Sequence, residues 1–358
     1  MNSYIAVAAL MSLASVMFML PLVPALVELR RKSDALPLVV VQQNAGEIRH
    51  FANSFRSYIK GLQPILERCV KARNTDSGTL PDGEEYVVLG RADEPLLRGF
   101  AAGEASHPVL IMAGVDLVVP PLAKFSKDIY AGEQFEGGEK NSYRAILGER
   151  NVHLGVASDV VRWVHAVGEL TAAFGCNLYG RISSDLLIRL ADECSFLRMN
   201  APRIEIGRSA REENPNVPET TVHSDANAEK PPRLLHDGDY EILAGQVMDR
   251  NIVIRGNLRI CAGAQICGSV KSVKDMVIED GVSVEGSLIS ASKMHVGPNC
   301  RIHGPVIAER ELSIAGGTRC GTPEFPTTVS APQIEVEEGV VVFGTLWARE
   351  QGHVVARV

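Results

Sequence analysis

The chain has 358 residues, of which 46% are hydrophobic but only 5% aromatic, with 32 glycines and a formal net charge of −7. Scarce aromatics and abundant glycine disfavour a bulky globular core and suit thin layers joined by tight turns, and the negative balance excludes a global nucleic-acid footprint. Seven cysteines without a CxxC pair argue against a disulfide framework and a zinc site, and read as small apolar fillers in a reducing compartment.

Residues 5–27, "IAVAALMSLASVMFMLPLVPALV", carry no charge and are long enough for a helix crossing a hydrocarbon core of roughly 30 Å. Residues 1–4 lack the cation that a cleaved signal peptide would place ahead of its core, so the segment is expected to be an uncleaved anchor. Arg30, Arg31 and Lys32 follow it and by the positive-inside rule hold the bulk of the chain in the cytoplasm. The anchor and its basic flank take up residues 1–32.

A second segment, 33–85, is expected to be juxtamembrane and helical. Within 44–73, Ile48, Phe51, Phe55, Ile59, Leu62 and Leu66 recur at helical spacing, with Arg49, Arg56 and Lys60 among six cations. That is a basic amphipathic helix. It fits a helix lying on anionic headgroups and equally one packed on the following domain; Pro64 is a candidate break.

Residues 86–206 contain strand-like runs, "YVVLG", "PVLIM" and "VDLVV", and then weak columns at an 18-residue step: Val152, Leu170 and Ile188; Leu154, Ala172 and Leu190; Val160, Leu178 and Phe196. Residues 207–238, with four prolines and almost no large apolar side chains, read as a flexible loop or linker.

The same period is plain from 239 to 358. Leu258, Met276, Met294 and Leu312 stand 18 apart, as do Ile260, Ile278, Val296 and Ile314, and Ile266, Val284, Ile302 and Cys320, with Val270, Leu288 and Val306 as a further column. The turn position holds Gly263, Gly281, Asn299 and Gly317, and another glycine column runs Gly268, Gly286, Gly304. Tyr240, Ile242 and Gly245 extend the register upstream, and Ile334, Val336, Gly339, Val342, Gly344 and Leu346 resume it after a four-residue slip, giving six copies. Such a repeat describes one coil of a parallel β-helix, whose aliphatic columns are buried only by stacking. The fold class is therefore all-β, a parallel β-helix solenoid of about 18 residues per coil behind a helical N-terminus.

The cadence from 258 to 320 resembles the bactofilins, bacterial polymer-forming cytoskeletal proteins. The resemblance implies a β-helix that polymerises without nucleotide at the bacterial inner membrane and localises envelope or polysaccharide-synthesis proteins, with no cofactor. The enzymatic alternative is a hexapeptide-repeat acyltransferase, a left-handed β-helix whose coil also has 18 residues. Ile278, Val284, Val296, Ile302 and Ile314 fall at multiples of six, but such an enzyme needs a general-base histidine. His295 and His303 alternate with apolar residues and should point outward; His153 and His165, with Trp163 between them, form a polar patch or partner surface.

The expected function is thus a membrane-anchored, self-assembling scaffold with no catalysis, whose partner is another copy of itself. Its assembly end is expected at "VVFGTLWARE", because Phe343, Leu346 and Trp347 are poor residues for capping a stack.

Overall fold

The computed structural model describes residues 49–92, 106–207 and 233–356, together with residues 10, 11, 13, 17, 19 and 20. The anchor expected at 5–27 lies outside the described residues except at those six positions, and so do Arg30, Arg31 and Lys32. Among the described residues no helix is long and apolar enough to cross a membrane. Residues Met1–Glu47 form one unit and Ile48–Val358 another, to which the solenoid belongs.

The fold is a parallel β-solenoid of about 12 turns with roughly 18 residues per coil. Its logic is clearest from 258 to 320, where each coil has three faces and each face turns two side chains inward. The inward set Leu258, Ile260, Ala264, Ile266, Val270 and Ser272 is buried, and Met276, Ile278, Val282, Val284, Leu288 and Ser290 repeat it one coil on. The paired residues Leu258↔Met276↔Met294↔Leu312 and Ile266↔Val284↔Ile302↔Cys320 are those the 18-residue columns predict. Serine at the sixth inward place stays hydrogen-bonded, as a buried hydroxyl must: Ser272 Oγ and Ser290 Oγ each donate to Lys274 O at 2.9 Å.

The N-terminal block, 86–206, is built on the same principle from a long bent strand and a short one per coil. The weak columns prove to be true register, with Val152↔Leu170↔Ile188 and Val160↔Leu178↔Phe196 in parallel pairs. "YVVLG", "PVLIM" and "VDLVV" supply the strands Glu85–Leu89, Leu110–Ala113 and Leu117–Val119 of its first coils. At the opening of this block the polar strand Thr75–Thr79 pairs antiparallel with Glu85–Leu89 and covers the outer edge of that strand, as exposed strand edges require.

The second block begins earlier than the sequence suggests. Arg233–His236 is a strand paired with Asn251–Ile254, so the polar linker expected over 207–238 gives way to solenoid at Arg233. This block ascends to the long strand Val341–Val355, which does not end in solvent. It lies antiparallel against Ser195–Ile206, the last coil of the first block, with Met199↔Leu346, Arg198↔Trp347 and Ile204↔Val342 as partners. The two blocks are therefore stacked end to end, the last coil of each against the last coil of the other.

That junction corrects the expectation of an uncapped C-terminal coil. Leu346 is fully buried and Phe343 is half-buried, because backbone groups that would have offered an edge are spent on Ser195–Ile206.

The amphipathic segment also finds its cover inside the protein. Helix α1, His50–Tyr58, runs through a 3₁₀ turn, Ile59–Leu62, into helix α2, Gln63–Ala72, where Pro64 sits in the first turn and costs no hydrogen bond. Phe55, Ile59, Leu62 and Leu66 pack with Ala52 and Cys69 on Val88, Leu110, Met112, Tyr130, Leu147 and Trp163. These lie on the outer face of strands whose inner face lines the solenoid core. A sheet covered on both sides reads as unbroken apolar sequence, hence "YVVLG" and "PVLIM".

Candidate binding groove at the junction of the two blocks

Four residues from four consecutive strands share one row across the junction: Trp163, Arg181, Arg198 and Trp347 are successive register partners. Partners in register project from the same face of a sheet, about 4.8 Å apart from strand to strand. A bulge after Leu178 shifts the register so that Arg198, rather than Met199, falls opposite Arg181.

Each guanidinium in the row rests on an aromatic ring. Arg181 lies 5.0 Å from the ring centroid of Phe51, which the start of α1 brings over the row, and Arg198 lies 4.9 Å from that of Trp347. Trp163 is buried under Phe55, whose ring meets it edge to face at 5.7 Å. Val161, Tyr179 and Trp347 remain exposed, and Arg162 borders the same groove, whose volume is about 460 Å³.

Carboxylates balance the cationic charge of the groove only in part, Asp128 through its interaction with Arg162. Arg349, at its edge, reaches Glu309 at 3.3 Å, but among the described residues no ion pair engages Arg162, Arg181 or Arg198. Burial, and after it the neighbouring charge of Arg181, lowers the pKa of Arg198. Guanidiniums stacked by their faces keep their N–H edges free, the arrangement that binds oxyanions bidentately.

Of the cations expected near the membrane, Arg49, Arg56 and Lys60 lie within the described residues. Arg49 binds Asp185 at 2.8 Å, and Arg56 makes a fork to Glu149 at 2.8 and 2.9 Å, so both fasten the helical segment to the solenoid. Lys60 is exposed on that segment. Of the three residues expected at an assembly end, Trp347 alone joins the groove.

His295 and His303 point outward, His295 with Nδ1 2.7 Å from Ser313 Oγ and His303 with Nδ1 2.5 Å from Glu285 Oε2. His165 is buried in the N-terminal block, its Nδ1 2.9 Å from Ser183 Oγ, while His153 is half-buried. Five cysteines are buried, but Cys267 is exposed and Cys261 half-buried, so these two do not fill the core as expected. Among the described residues no three of His, Cys, Asp or Glu converge as metal ligands.

Sequence reading missed the arginine row. Trp163 and Arg181 stand 18 apart and Arg198 another 17 on, a spacing visible in principle; Trp347 reaches the row only through an antiparallel contact between distant strands. No family model, curated protein or solved structure matches the chain.

Proposed function

We propose that the protein is a non-catalytic β-solenoid scaffold of bactofilin type, anchored in the bacterial inner membrane by residues 5–27, that self-associates and organises envelope or polysaccharide-synthesis proteins from the cytoplasmic side. The observation that carries the assembly part is an open stack end. Among the described residues, Arg233–His236, Tyr240–Ile242 and Val247–Met248 pair only with the coil above them. Leu243 and Val247 there are 64% and 61% exposed.

The reading thus moves assembly from the C-terminal coil to the first coil of the second block. A two-fold contact between the first coils of two copies is self-complementary and closes on itself, which favours a pair of copies over an endless filament. Electron microscopy and sedimentation of the full chain in neutral detergent test this: the expected species is a dimer joined at these coils, dispersed by combining Leu243→Lys with Val247→Lys. A monomer at high concentration overturns it.

The acyltransferase alternative draws on one observation, the six-residue step of the inward positions, as in Leu258, Ala264 and Val270. An acyl-CoA that raised the melting temperature by mass action would favour it over the scaffold.

A further inference from the structure

The row of stacked arginines carries an inference that does not depend on the scaffold reading. Two adjacent guanidiniums repel each other, and a fold keeps such a pair without a carboxylate only at a cost that a bound anion offsets. At the edge of this groove Arg349 is already paired with Glu309, and the carboxylates of Asp185 and Glu149 are engaged by Arg49 and Arg56.

We propose that Arg181 and Arg198 bind the phosphate group of a ligand whose remaining part lies on Trp347, Tyr179 and Val161. Phosphate matches the adjacent pair, since a monoester carries about −1.5 to −2 at neutral pH and presents three acceptor oxygens, enough to meet both guanidiniums at once, whereas a single carboxylate would balance only one of the two. The spacing fits as well, because strand neighbours about 4.8 Å apart can grip two oxygens of one phosphate from either side. The volume of about 460 Å³ lies in the range of roughly 300–1,000 Å³ that small-molecule sites occupy. Trp347, 39% exposed, gives the rest of the ligand a flat apolar floor.

Either a soluble phosphorylated compound or a phospholipid headgroup offers this chemistry. The ligand would bridge the two blocks, because Arg181 and Arg198 belong to the first and Trp347 to the second.

The chain contains only two tryptophans, and both line the groove, so intrinsic fluorescence of the full-length protein in neutral detergent reads this site. The probes are inorganic pyrophosphate, short-chain phosphatidate and, as a carboxylate control, citrate. Saturable quenching or a spectral shift is expected with at least one phosphate probe, weakened tenfold or more in R181Q and in R198Q and retained in R56Q. Response to phosphatidate alone assigns the phosphate to a lipid, and response to pyrophosphate assigns it to a soluble ligand. No saturable response to either, unchanged affinity in R181Q, or citrate binding as tightly as the phosphates overturns the proposal. Arg181 is exposed, so R181Q tests the site even where R198Q disturbs the junction.

Discussion

Arg198 and Trp347 face each other across the junction, the guanidinium carbon 4.9 Å from the ring centroid, although their strands run in opposite directions. A parallel solenoid ordinarily ends where its chain ends, and each terminal coil then needs a cap. Here the two halves cap each other. Antiparallel pairing lets the two last coils meet without either chain direction being altered, so the backbone donors and acceptors of both edges are used.

The junction should be the point at which the halves share stability. Leu346, fully buried opposite Met199, should cost about 2–5 kcal/mol when cut to alanine. Trp347→Ala, which removes a partly exposed ring and its cation–π contact, should cost about 1–2 kcal/mol. In a Trp347→Phe background, Trp163 reports the first block alone, and Leu346→Ala should lower its denaturation midpoint too. An unchanged Trp163 transition would show the blocks to be independent.

The two glycine columns differ in what they forbid. A Cβ on Gly286 would meet the carbonyl carbon and oxygen of Gly268 at 2.6 Å, backbone against backbone with nothing free to yield. At Gly281 nothing lies within 4 Å, but φ is +67°. Gly281→Ala should therefore cost only the left-handed strain of about 1–2 kcal/mol, and Gly286→Ala clearly more. Asn299→Gly, at φ 55° in the equivalent turn one coil on, relieves left-handed strain but loses the 3.0 Å hydrogen bond from Nδ2 to Asp280 Oδ1, so it should be close to neutral. Thermal denaturation of the three variants checks the order, and Gly286→Ala as mild as Gly281→Ala would contradict it.

These turns also explain what the sequence could convey. In the second block the left-handed position is filled by Gly245, Gly263, Gly281, Asn299, Gly317 and Gly339, so the turn announces itself and the register follows. In the first block the same position is held by Leu122, Lys140, Ala157 and Glu193, with Gly175 the one glycine, and a signal resting on residue type is lost. Coils there also vary in length: Ile129↔Ile146 are 17 apart and Ile146↔Val164 are 18. Helical periodicity showed which face of 50–72 was apolar but not that Tyr130 and Trp163 would cover it. The junction, and with it half of the groove, depends on contacts between residues some 150 positions apart, which no local pattern encodes.

Acid should weaken the N-terminal block through His165. Burial pulls its pKa below the ordinary value, against the raising effect of Asp185, while Arg49 and Arg56 lower it and Glu149 raises it. Its Nε2 has no hydrogen-bond partner, and at 3.8 Å from Asp185 Oδ1 it would form an ion pair only on protonation. With the folded pKa depressed, the unfolded chain takes up the proton first, below about pH 6.5. Stability should be full above that value and decline as pH falls toward 5. Denaturation midpoints between pH 8 and 5 should fall for the native chain and more gently for His165→Gln; parallel slopes would remove His165 from the account.

Cysteine reactivity should map the solenoid wall. Cys176 and Cys194 occupy adjacent coils at one corner and donate to Gly155 O and Ala173 O, each at 3.2 Å. Cys300 donates to Glu279 O at 3.1 Å, and burial pushes the Cys320 thiol up to about 12. A thiol reacts as its thiolate and only where reagent can reach it, so these four should be inert in the folded protein, Cys176 by burial alone because its hydrogen bond with Cys194 lowers its pKa. Cys261 is half-buried and bonded to Glu241, which raises its pKa, whereas Cys267 is exposed. A maleimide at neutral pH should therefore label Cys267 first and Cys261 more slowly, with Cys176, Cys194, Cys300 and Cys320 modified only on unfolding, as peptide mass mapping would reveal. Early labelling of Cys176 or Cys194 would mean that the corner column opens in the native state, and that the last coil of the first block is less firmly held by Val341–Val355 than their pairing implies.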